Sequence, residues 1–443
     1  MRAMRSAAIA ACSAIVVSLA ACGSSSTKGA ATTAAPSATT GSTAPAPAST
    51  AAAAAVTGTV TFWHAYSSDS PEVKTLDTVL VPAFQKSHPG VTVKTVAIPY
   101  DDLHTKLVTA AAGGELPDVV RSDIAWVPEL GKLGVLAALD QELPDFKALA
   151  GTTYDGALAT NKLGDHYYGL PLDTNTRVMM WNADALKAAG VTDPPKTFAD
   201  LKALGEKLKG KGVYAFADGG TGGWNMLPWI WSGGGDITDP TYTKATGFLN
   251  GPKSVAAIQM LVDLYKAGEI PDIITGAKGG VQTSDGLPTG KYATILDGPW
   301  MFPIFTSQYP NFKLQTSPVP AGDGGSISVV GGEDVVLTKA SKNKPAAEEW
   351  IRYLLSPEAQ TEMAKVGQMS VRKDLGDQIT KIHDYYAPFV TQLATARPRT
   401  PSPNWPKIDK VLGDTLVKAF TGDVTVQAAL DDAAKQIDPL LAG

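Results

Sequence analysis

Hydrophobic and polar positions after residue 57 alternate between the periods of strands and helices. The predicted elements are, in order, a strand at 59–63, a helix at 71–87, a strand at 91–98, a helix at 100–112 and a strand at 117–120. Short joints between such elements are typical of a parallel sheet with right-handed crossovers. Ligands bind beyond the carboxyl ends of strands in such sheets. We therefore expect residues 63–66 and 121–123 to face a binding site.

A second clear pattern lies in residues 346–366. Four apolar residues recur there on one helical face: Ala347, Ile351, Leu354 and Leu355. This 3.6-residue spacing predicts an amphipathic helix that packs its apolar face in a core. Trp350 belongs to the same helix and is expected to pack, whereas Glu348, Glu349 and Arg352 are expected to face water.

The first 21 residues have the pattern of a secretory signal. Arg2 and Arg5 precede an uninterrupted run of apolar and small residues at 7–21, which is shorter than the ~20 apolar residues of a membrane-spanning helix. The run ends in LAAC, which resembles the lipobox of bacterial lipoproteins. The resemblance implies cleavage before Cys22 and lipid attachment to it. An ordinary cleaved signal with an incidental cysteine is the alternative; Cys12 leaves with the signal in both cases.

Residues 22–57 differ in composition from the rest of the chain. After Cys22, all of them except Lys28 and Val56 are Ala, Ser, Thr, Gly or Pro. Such a segment cannot bury enough apolar surface to offset its ordering entropy, so we expect a disordered linker with an end-to-end distance of roughly 30 Å. The chain beyond it exceeds the ~250–300 residues at which single cores tend to split, which favours two lobes.

Charge and motif content exclude several classes of function. The net charge is −5 and the sequence pI is about 5.6, so there is no basic field for nucleic acid. The five histidines have no ligand spacing and no cysteine partners, and we expect no metal or cofactor. GGTGG at 219–223 lacks the pattern of a phosphate loop, and no G-x-S-x-G nucleophile motif is present.

Tryptophan supplies the candidate binding chemistry. Apolar faces of sugar rings stack on exposed indoles, while carboxylates, amides and arginines bind the hydroxyls. Trp224, Trp300 and Trp405 each stand beside Gly or Pro in turn-like sequence, so we expect them in a site rather than in a core. The glycines around GGWNMLPWIWSGGG argue against a full helix there. Asp123 and Asp173 follow strand-like runs, where a helix cap or a solvated loop carboxylate is the alternative.

The order of these elements resembles a known family over nearly all of the chain after residue 57. The stretches that carry the resemblance are VTFWHAYS, FQKSHPGVTVKTV, LPDVVRSDIAWVPELGKLGVLAALD, YYGLPLDTNTRVMMWN, TFADLKALGEKL, ATILDGPWMF, SPVPAG, SVVGGEDVVLTKASKNKPAAEEWIRYLLSPEAQ and RPRTPSPNWPKIDKVL. They are similar to the carbohydrate-binding extracellular solute-binding proteins of ABC importers, which include the maltose- and trehalose-binding proteins.

The resemblance implies a two-lobe α/β fold of the type II periplasmic-binding-protein kind. Each lobe would hold a parallel-dominated sheet, with the ligand cleft between the lobes. The implied divisions are a signal at 1–21, a lipidated cysteine and linker at 22–57, a first lobe of 58–170 and 332–378, and a second lobe of 171–331 and 379–443. The chain would cross between lobes near 169–174, 328–333 and 376–385.

The resemblance also implies a set of ligand-binding residues. These are Tyr66, Asp123, Asp173, Trp224, Trp300, Gly332, Glu333, Arg399 and Trp405. Asp123 would hold sugar hydroxyls from the first lobe, and Asp173 lies at the first crossing. Trp224, Trp300 and Trp405 would stack on sugar rings. Arg399 would donate to hydroxyls or form a salt bridge, and Arg372 stands where the family pattern differs.

We therefore expect a lipid-anchored, monomeric binding protein on the extracytoplasmic face of a bacterial cell membrane. It would capture an oligosaccharide, such as a disaccharide α-glucoside, for the permease subunits of an ABC importer, without catalysis. The first alternative keeps this fold but binds glycerol-3-phosphate or a glycerophosphodiester through Arg372 or Arg399. Others are a glycoside hydrolase that uses Asp123 and Asp173, and a ferric-ion binder that uses the tyrosine pairs at 167–168 and 385–386.

Overall fold

The computed structural model describes residues 55–442, apart from the side chain of residue 377. The predicted signal at 1–21, the lipid attachment at Cys22 and nearly all of the predicted linker at 22–57 lie outside these residues. Within the described part, no helix is both long enough and apolar enough to cross a lipid bilayer.

The strands are short and are spread along the whole described chain. They are β1 (Gly58–His64), β2 (Val91–Ala97), β3 (Val119–Asp123), β4 (Lys162–Leu163), β5 (His166–Tyr167), β6 (Leu170–Thr176), β7 (Val178–Trp181), β8 (Tyr214–Ala217), β9 (Tyr292–Asp297), β10 (Gln315–Ser317), β11 (Val330–Leu337) and β12 (Met369–Ser370).

Helices connect the strands and cover the sheets. They are α1 (Pro71–Thr75), α2 (Val81–Ser87), α3 (Tyr100–Gly113), α4 (Val127–Lys132), α5 (Leu139–Glu142), α6 (Phe146–Thr152), α7 (Asp155–Ala159), α8 (Ala183–Ala188), α9 (Phe198–Leu208), α10 (Gly223–Ser232), α11 (Pro252–Lys266), α12 (Thr283–Gly286), α13 (Met301–Gln308), α14 (Lys344–Leu354), α15 (Pro357–Ala364), α16 (Gly376–Ile382), α17 (Tyr386–Leu393), α18 (Trp405–Thr421) and α19 (Val426–Leu441). A π-helical turn, Leu76–Leu80, joins α1 to α2, and Asp272–Thr275 and Lys373–Leu375 are 3₁₀ turns.

Two main sheets organise the described chain, and β4 pairs with β5 in a separate two-stranded sheet. The larger has the strand order β12-β6-β11-β3-β1-β2, and the smaller has the order β10-β7-β9-β8. Each sheet packs against its own buried apolar side chains, around Phe62 and Trp350 for the larger sheet and around Phe216 and Trp229 for the smaller. β6 of the larger sheet leads through Arg177 directly into β7 of the smaller one. This is the α/β fold with two lobes that the sequence predicts.

The predicted dominance of parallel pairs is wrong. β1 is parallel to β2 and β3, as the alternating pattern at 59–120 indicates. β11, however, is antiparallel to both β3 and β6, and β12 is antiparallel to β6. The smaller sheet has one parallel pair, β8 with β9, and two antiparallel pairs. β6 and β7, which are separated only by Arg177, each take part in two of these antiparallel pairs.

Two local predictions have opposite outcomes. Ala347, Ile351 and Leu354 are buried in α14, and Trp350 is fully buried beside them, as predicted. The expected absence of a full helix around GGWNMLPWIWSGGG is wrong, because Gly223–Ser232 is helical through Pro228. Burial of almost the whole segment in the core of the second lobe outweighs the helix-breaking glycines on either side. The predicted lobe boundaries stay predictions; those at 170/171 and 331/332 fall within β6 and β11.

Candidate functional site

A cavity of about 440 Å³ lies between the ends of the two sheets. Its lining comes from strands of the larger sheet and nearby segments, from the segments that follow β8 and β9 of the smaller sheet, and from Arg399 and α18: Ala65, Tyr66, Ser67, Glu72, Tyr100, Asp101, Arg121, Asp123, Asn175, Gly222, Trp224, Asn225, Trp300, Ile304, Gly331, Gly332, Glu333, Gln368, Arg399 and Asp409. A cavity of this size, with aromatic and polar walls, is suited to a small-molecule ligand.

Three carboxylates lie side by side across the larger sheet, next to the cavity. Glu333 of β11 pairs in register with Asp123 of β3 on one side and with Asp173 of β6 on the other. Like charges on directly opposed strand positions repel each other, and burial adds to the cost. This row therefore requires compensating cations.

Arg121 supplies the first of these cations. Its Nε and Nη2 donate to Asp173 Oδ2 at 3.2 and 3.1 Å, and Nη2 lies 2.6 Å from Glu333 Oε2. The guanidinium also stacks over the ring of Tyr66, with its carbon 4.2 Å from the ring centroid. Burial raises the pKa of Glu333 well above its ordinary value, and Arg121 offsets this only in part.

Arg399 supplies the second cation. Asp123 Oδ1 accepts a hydrogen bond from Arg399 Nη2 at 2.7 Å and from the backbone N–H of Ala125 at the same distance. Asp123 Oδ2 accepts from the Tyr100 hydroxyl at 2.7 Å. Asp123 lies at the end of β3, whereas Arg399 lies between α17 and α18. The ion pair thus joins the two sides of the cavity.

The segments that follow β8 and β9 of the smaller sheet contribute an aromatic wall. The rings of Trp224 and Trp300 are stacked, with centroids 6.3 Å apart and planes 29° from parallel. Trp300 lies against its own chain at Gly298, where a Cβ would come within 2.1 Å of the indole. Gly331 gives Trp224 similar clearance, since a Cβ there would lie 2.7 Å from that ring. These glycines allow both indoles to lie flat against backbone.

Several polar atoms of the cavity lining have no hydrogen-bond partner among the described residues. They are Glu72 Oε2, Asn175 Oδ1 and Arg399 Nε, all buried. Buried polar groups in native proteins are nearly always paired. These three atoms therefore keep hydrogen-bonding capacity that the described residues do not use.

Seven of the nine predicted ligand-binding residues line this cavity. They are Tyr66, Asp123, Trp224, Trp300, Gly332, Glu333 and Arg399. Gly332 has a φ of +140°, and a Cβ there would come within 2.4 Å of the Asp173 carbonyl oxygen, so a glycine is required for the close approach of β11 and β6. Their predicted contacts with ligand stay predictions.

Asp173 and Trp405 do not line the cavity. Asp173 is 5% exposed and its carboxylate is bound by Arg121. Trp405 begins α18 and is 3% exposed, and its indole packs against Gly223 in the apolar core of the second lobe. The rigid proline context that suggested exposure instead fixes the start of a buried helix. We therefore leave both residues out of the direct ligand contacts proposed below.

Among the cavity residues that sequence reasoning missed are Glu72, Tyr100 and Asp409. Tyr100 follows β2 by a few residues, so the rule that ligands lie beyond strand ends could have identified it. Glu72 has the appearance of an ordinary acidic residue in the first turn of a helix. Asp409 is one turn into α18 and accepts a hydrogen bond from the Gly223 backbone. Only the tertiary fold brings these two carboxylates to the cavity.

The residues named for the alternative functions are placed differently. Arg372 donates to the Leu355 carbonyl oxygen and to Asp374, away from the cavity lining. The second tyrosine pair is part of an apolar cluster, and Tyr386 donates to the Ala364 carbonyl oxygen at 2.6 Å. Asp173 is separated from Asp123 by Glu333 and does not reach the cavity, so the two do not form a hydrolytic pair there.

Comparison with known proteins identifies the family. The sequence profile of bacterial extracellular solute-binding proteins matches residues 67–361. A putative binding protein of Brucella abortus is 27% identical over 374 residues, which are 81% of this chain and 88% of that protein. An uncharacterised lipoprotein of Streptomyces antibioticus is 30% identical over 304 residues, 64% of each chain.

The fold comparison agrees with the sequence comparison. The GacH receptor of Streptomyces glaucescens, solved unliganded and with acarbose, superimposes with a TM-score of 0.78 at 25% identity, over 87% of this chain and 99% of that one. The predicted type II two-lobe fold is confirmed by this match. These proteins bind solutes for ABC transporters and are not enzymes. The chain belongs to the family of bacterial extracellular solute-binding proteins.

Proposed function

We propose that this protein captures a short oligosaccharide, such as a disaccharide α-glucoside, in the cavity between its lobes. The observation that carries the proposal is the pairing of a stacked indole wall with a row of carboxylates and arginines in one cavity. Sugars present apolar faces and hydroxyl edges, and this cavity offers a partner to each. The acarbose complex of the GacH receptor, a structural relative, supports the same ligand class.

The unpaired polar atoms supply the hydrogen bonds in this proposal. Asn175 Oδ1 and Glu72 Oε2 would accept from sugar hydroxyls, and Arg399 Nε would donate to a hydroxyl or ring oxygen. Trp224 and Trp300 would cover one face of a sugar ring. Because these groups come from both lobes, the ligand would stabilise the closed arrangement by its differential affinity for it.

The proposal includes a membrane anchor and a permease partner. Cys22 would carry the lipid, and residues 23–57 would tether a monomeric binding head to the extracytoplasmic face of a bacterial membrane. Similarity to a Streptomyces antibioticus lipoprotein supports the anchor. Tethering raises the concentration of the loaded head at the ABC permease without any additional contact.

The alternative cargo is glycerol-3-phosphate or a glycerophosphodiester. It is favoured by similarity to the sn-glycerol-3-phosphate-binding protein UgpB of Shigella dysenteriae, which is 26% identical over 424 residues. Phosphate recognition requires cations or helix N-termini that are free to bind it. In the described cavity lining, both arginines are already bound to carboxylates, Arg121 to Asp173 and Arg399 to Asp123. The geometry therefore favours the neutral sugar.

A thermal-unfolding screen tests the two candidates together. A ligand that binds only the native state raises Tm in proportion to the logarithm of its concentration over Kd. The panel contains maltose, trehalose, sucrose, maltotriose and xylobiose on one side, and glycerol-3-phosphate and glycerophosphocholine on the other. We expect a rise in Tm with at least one sugar. A rise with the phosphate compounds alone would select the alternative.

A further inference from the structure

The acidic residues of the cavity lining outnumber the basic ones. The acidic side chains are Glu72, Asp101, Asp123, Glu333 and Asp409, whereas the basic ones are Arg121 and Arg399. No lysine or histidine is among the lining residues. His64, behind the lining next to Tyr66, is neutral above acidic pH because burial lowers its pKa to about 3.

Both arginines of the cavity lining already form ion pairs with the row of carboxylates on the larger sheet. Arg121 pairs with Asp173 and Glu333, and Arg399 pairs with Asp123. Among the described residues, neither Glu72 nor Asp409 has a cation within ion-pair distance. The lining therefore has more carboxyl than guanidinium groups, and Glu72 and Asp409 are two of its carboxyl groups without an ion-pair partner among the described residues.

Glu72 is the more informative of these two carboxylates. It is 4% exposed, its Oε1 accepts from Gln368 Nε2 at 3.3 Å, and its Oε2 has no partner. Burial raises the pKa of Glu72, and burial likewise raises that of Asp409. A buried carboxylate without a counter-charge is costly, and a positively charged ligand group nearby removes that cost.

The aromatic wall formed by Trp224 and Trp300 also favours a cationic ligand group. The faces of Trp224 and Trp300 carry the negative end of the ring quadrupole, which attracts cations. One of them already does so within the protein, since the guanidinium carbon of Arg177 lies 5.5 Å from the Trp224 ring centroid. An ammonium group inside the cavity would meet aromatic faces and carboxylates together.

We propose that the preferred ligand is an oligosaccharide that carries a protonated amine, and that Glu72 and Asp409 select it over its neutral counterpart. This inference rests on the proposed function and names a narrower ligand class within it. It also predicts rejection of anionic sugars, because like charge would be brought against unbalanced carboxylates.

Calorimetric titration with matched disaccharides tests the inference. The probes are cellobiose, N,N′-diacetylchitobiose and the glucosamine dimer chitobiose, together with trehalose and 2-amino-2-deoxytrehalose. Chitobiose replaces both 2-hydroxyls of cellobiose with amines, diacetylchitobiose blocks those amines as neutral amides, and 2-amino-2-deoxytrehalose differs from trehalose by a single amine. We expect the amine-bearing sugar to bind at least about tenfold more tightly than its hydroxyl counterpart near pH 6.5, as expected for one charge pair in a partly screened site.

Variants locate the source of the preference. Glu72→Gln and Asp409→Asn keep the size of the side chain and one acceptor oxygen but remove the charge, and each should reduce the amine-to-hydroxyl affinity ratio at least threefold. Asp69→Asn is the matched control. Asp69 is an exposed acidic residue outside the cavity lining, and its φ of 60° suits asparagine. The ratio should stay within about twofold of wild type in this variant.

The outcomes separate the two proposals. If a neutral sugar binds as tightly as its amine counterpart in every pair that binds, this inference is overturned and the oligosaccharide proposal stands. If the ratio favours the amine but does not change in Glu72→Gln and Asp409→Asn, the assignment of these residues is overturned. If no sugar binds either here or in the thermal screen, both proposals fail.

Discussion

Arg399 Nη2 lies 2.7 Å from Asp123 Oδ1, and both side chains are less than a tenth exposed. Asp123 ends β3 of the larger sheet. Arg399 follows Arg397, whose backbone pairs with Ser328 and Val330 at the point where the chain enters β11. The ion pair therefore connects a strand end on one side of the cavity to the segment that leads into α18 on the other. We expect this ion pair to couple the geometry of the cavity to the position of that segment.

Removal of one partner of this pair should affect both stability and binding. Asp123→Asn keeps the shape but leaves Arg399 charged, buried and unpaired, which typically costs about 3–5 kcal/mol. We expect denaturant unfolding to show a loss in this range and calorimetry to show weaker sugar binding. Glu115→Gln, an exposed substitution in the preceding loop, is the control and should change neither. An Asp123→Asn protein with wild-type stability and affinity would contradict the coupling.

The tryptophans should divide into binding and core residues. Trp300→Ala removes part of the cavity wall, and we expect affinity for the sugar to fall by roughly 30-fold, the effect of truncating a central aromatic contact. Trp350 is fully buried, so Trp350→Ala should instead cost about 3–5 kcal/mol of unfolding free energy. Calorimetry and denaturant unfolding on both variants check this division.

Trp405 is the stronger test of this division between binding and core tryptophans, because its sequence context suggested a ligand contact. It is buried in the core of the second lobe, so Trp405→Ala should behave like Trp350→Ala and lower unfolding free energy by several kcal/mol. Trp405→Phe retains most of the packing and should keep sugar affinity within about threefold. A large affinity loss in Trp405→Phe with unchanged stability would show that the indole contacts ligand after all.

His64 and Asp297 should contribute slopes of opposite sign to the dependence of unfolding free energy on pH. Burial lowers the pKa of His64 to about 3 from 6.5, so the unfolded state binds more protons between these values and stability falls as pH falls through this window. Burial raises the pKa of Asp297 to about 6 from 3.8, so the native state binds more protons there and stability falls as pH rises.

Substitution should separate the two contributions. His64→Gln should reduce the loss of unfolding free energy that occurs as the pH falls below 6.5. For this group the loss approaches about 1.4 kcal/mol per pH unit. Asp297→Asn should reduce the loss of unfolding free energy that occurs as the pH is raised from 3.8 to 6. Unfolding free energies measured from pH 4 to 7 check both signs. Slopes that change in the same direction in the two variants would refute the assignment.

Substitution of each of the two cysteines of the chain tests the proposed membrane anchor. Cys22→Ser should move the protein from the membrane fraction of the producing cell to the soluble fraction, because the lipid-bearing residue is lost. Cys12→Ser is the matched control, since Cys12 belongs to the predicted signal and should leave the location unchanged. Fractionation followed by immunoblotting measures both. Membrane retention of Cys22→Ser would contradict lipidation at this position.

Local patterns predicted those parts of the fold that depend on neighbouring residues. The alternation at 59–120 predicted β1, β2 and β3 and their parallel pairing because each crossover is completed within a short segment. The antiparallel pairing of β11 with β3 and β6 was not predictable, since these partners lie far apart in sequence. Burial decided the helix at Gly223–Ser232 against the local glycine signal.

The site was predictable to the extent that it follows strand ends. Asp123 ends β3 and Tyr66 lies two residues beyond β1, where the sheet rule directs attention, whereas Glu333 lies in the middle of β11 and was indicated by the resemblance alone. Glu72 and Asp409 lie on helices, and their burial beside the cavity depends on contacts with distant segments. Trp405 shows the converse, because a proline-rich context is compatible with both a loop and a buried helix start.

The most direct test of the central claim is isothermal titration calorimetry of the purified protein with the best sugar of the thermal screen and with glycerophosphocholine. We predict saturable binding of one sugar per protein, at least tenfold weaker in Asp123→Ala, and no measurable binding of glycerophosphocholine. Saturable binding of glycerophosphocholine with no sugar binding would contradict the assignment of this cavity to an oligosaccharide.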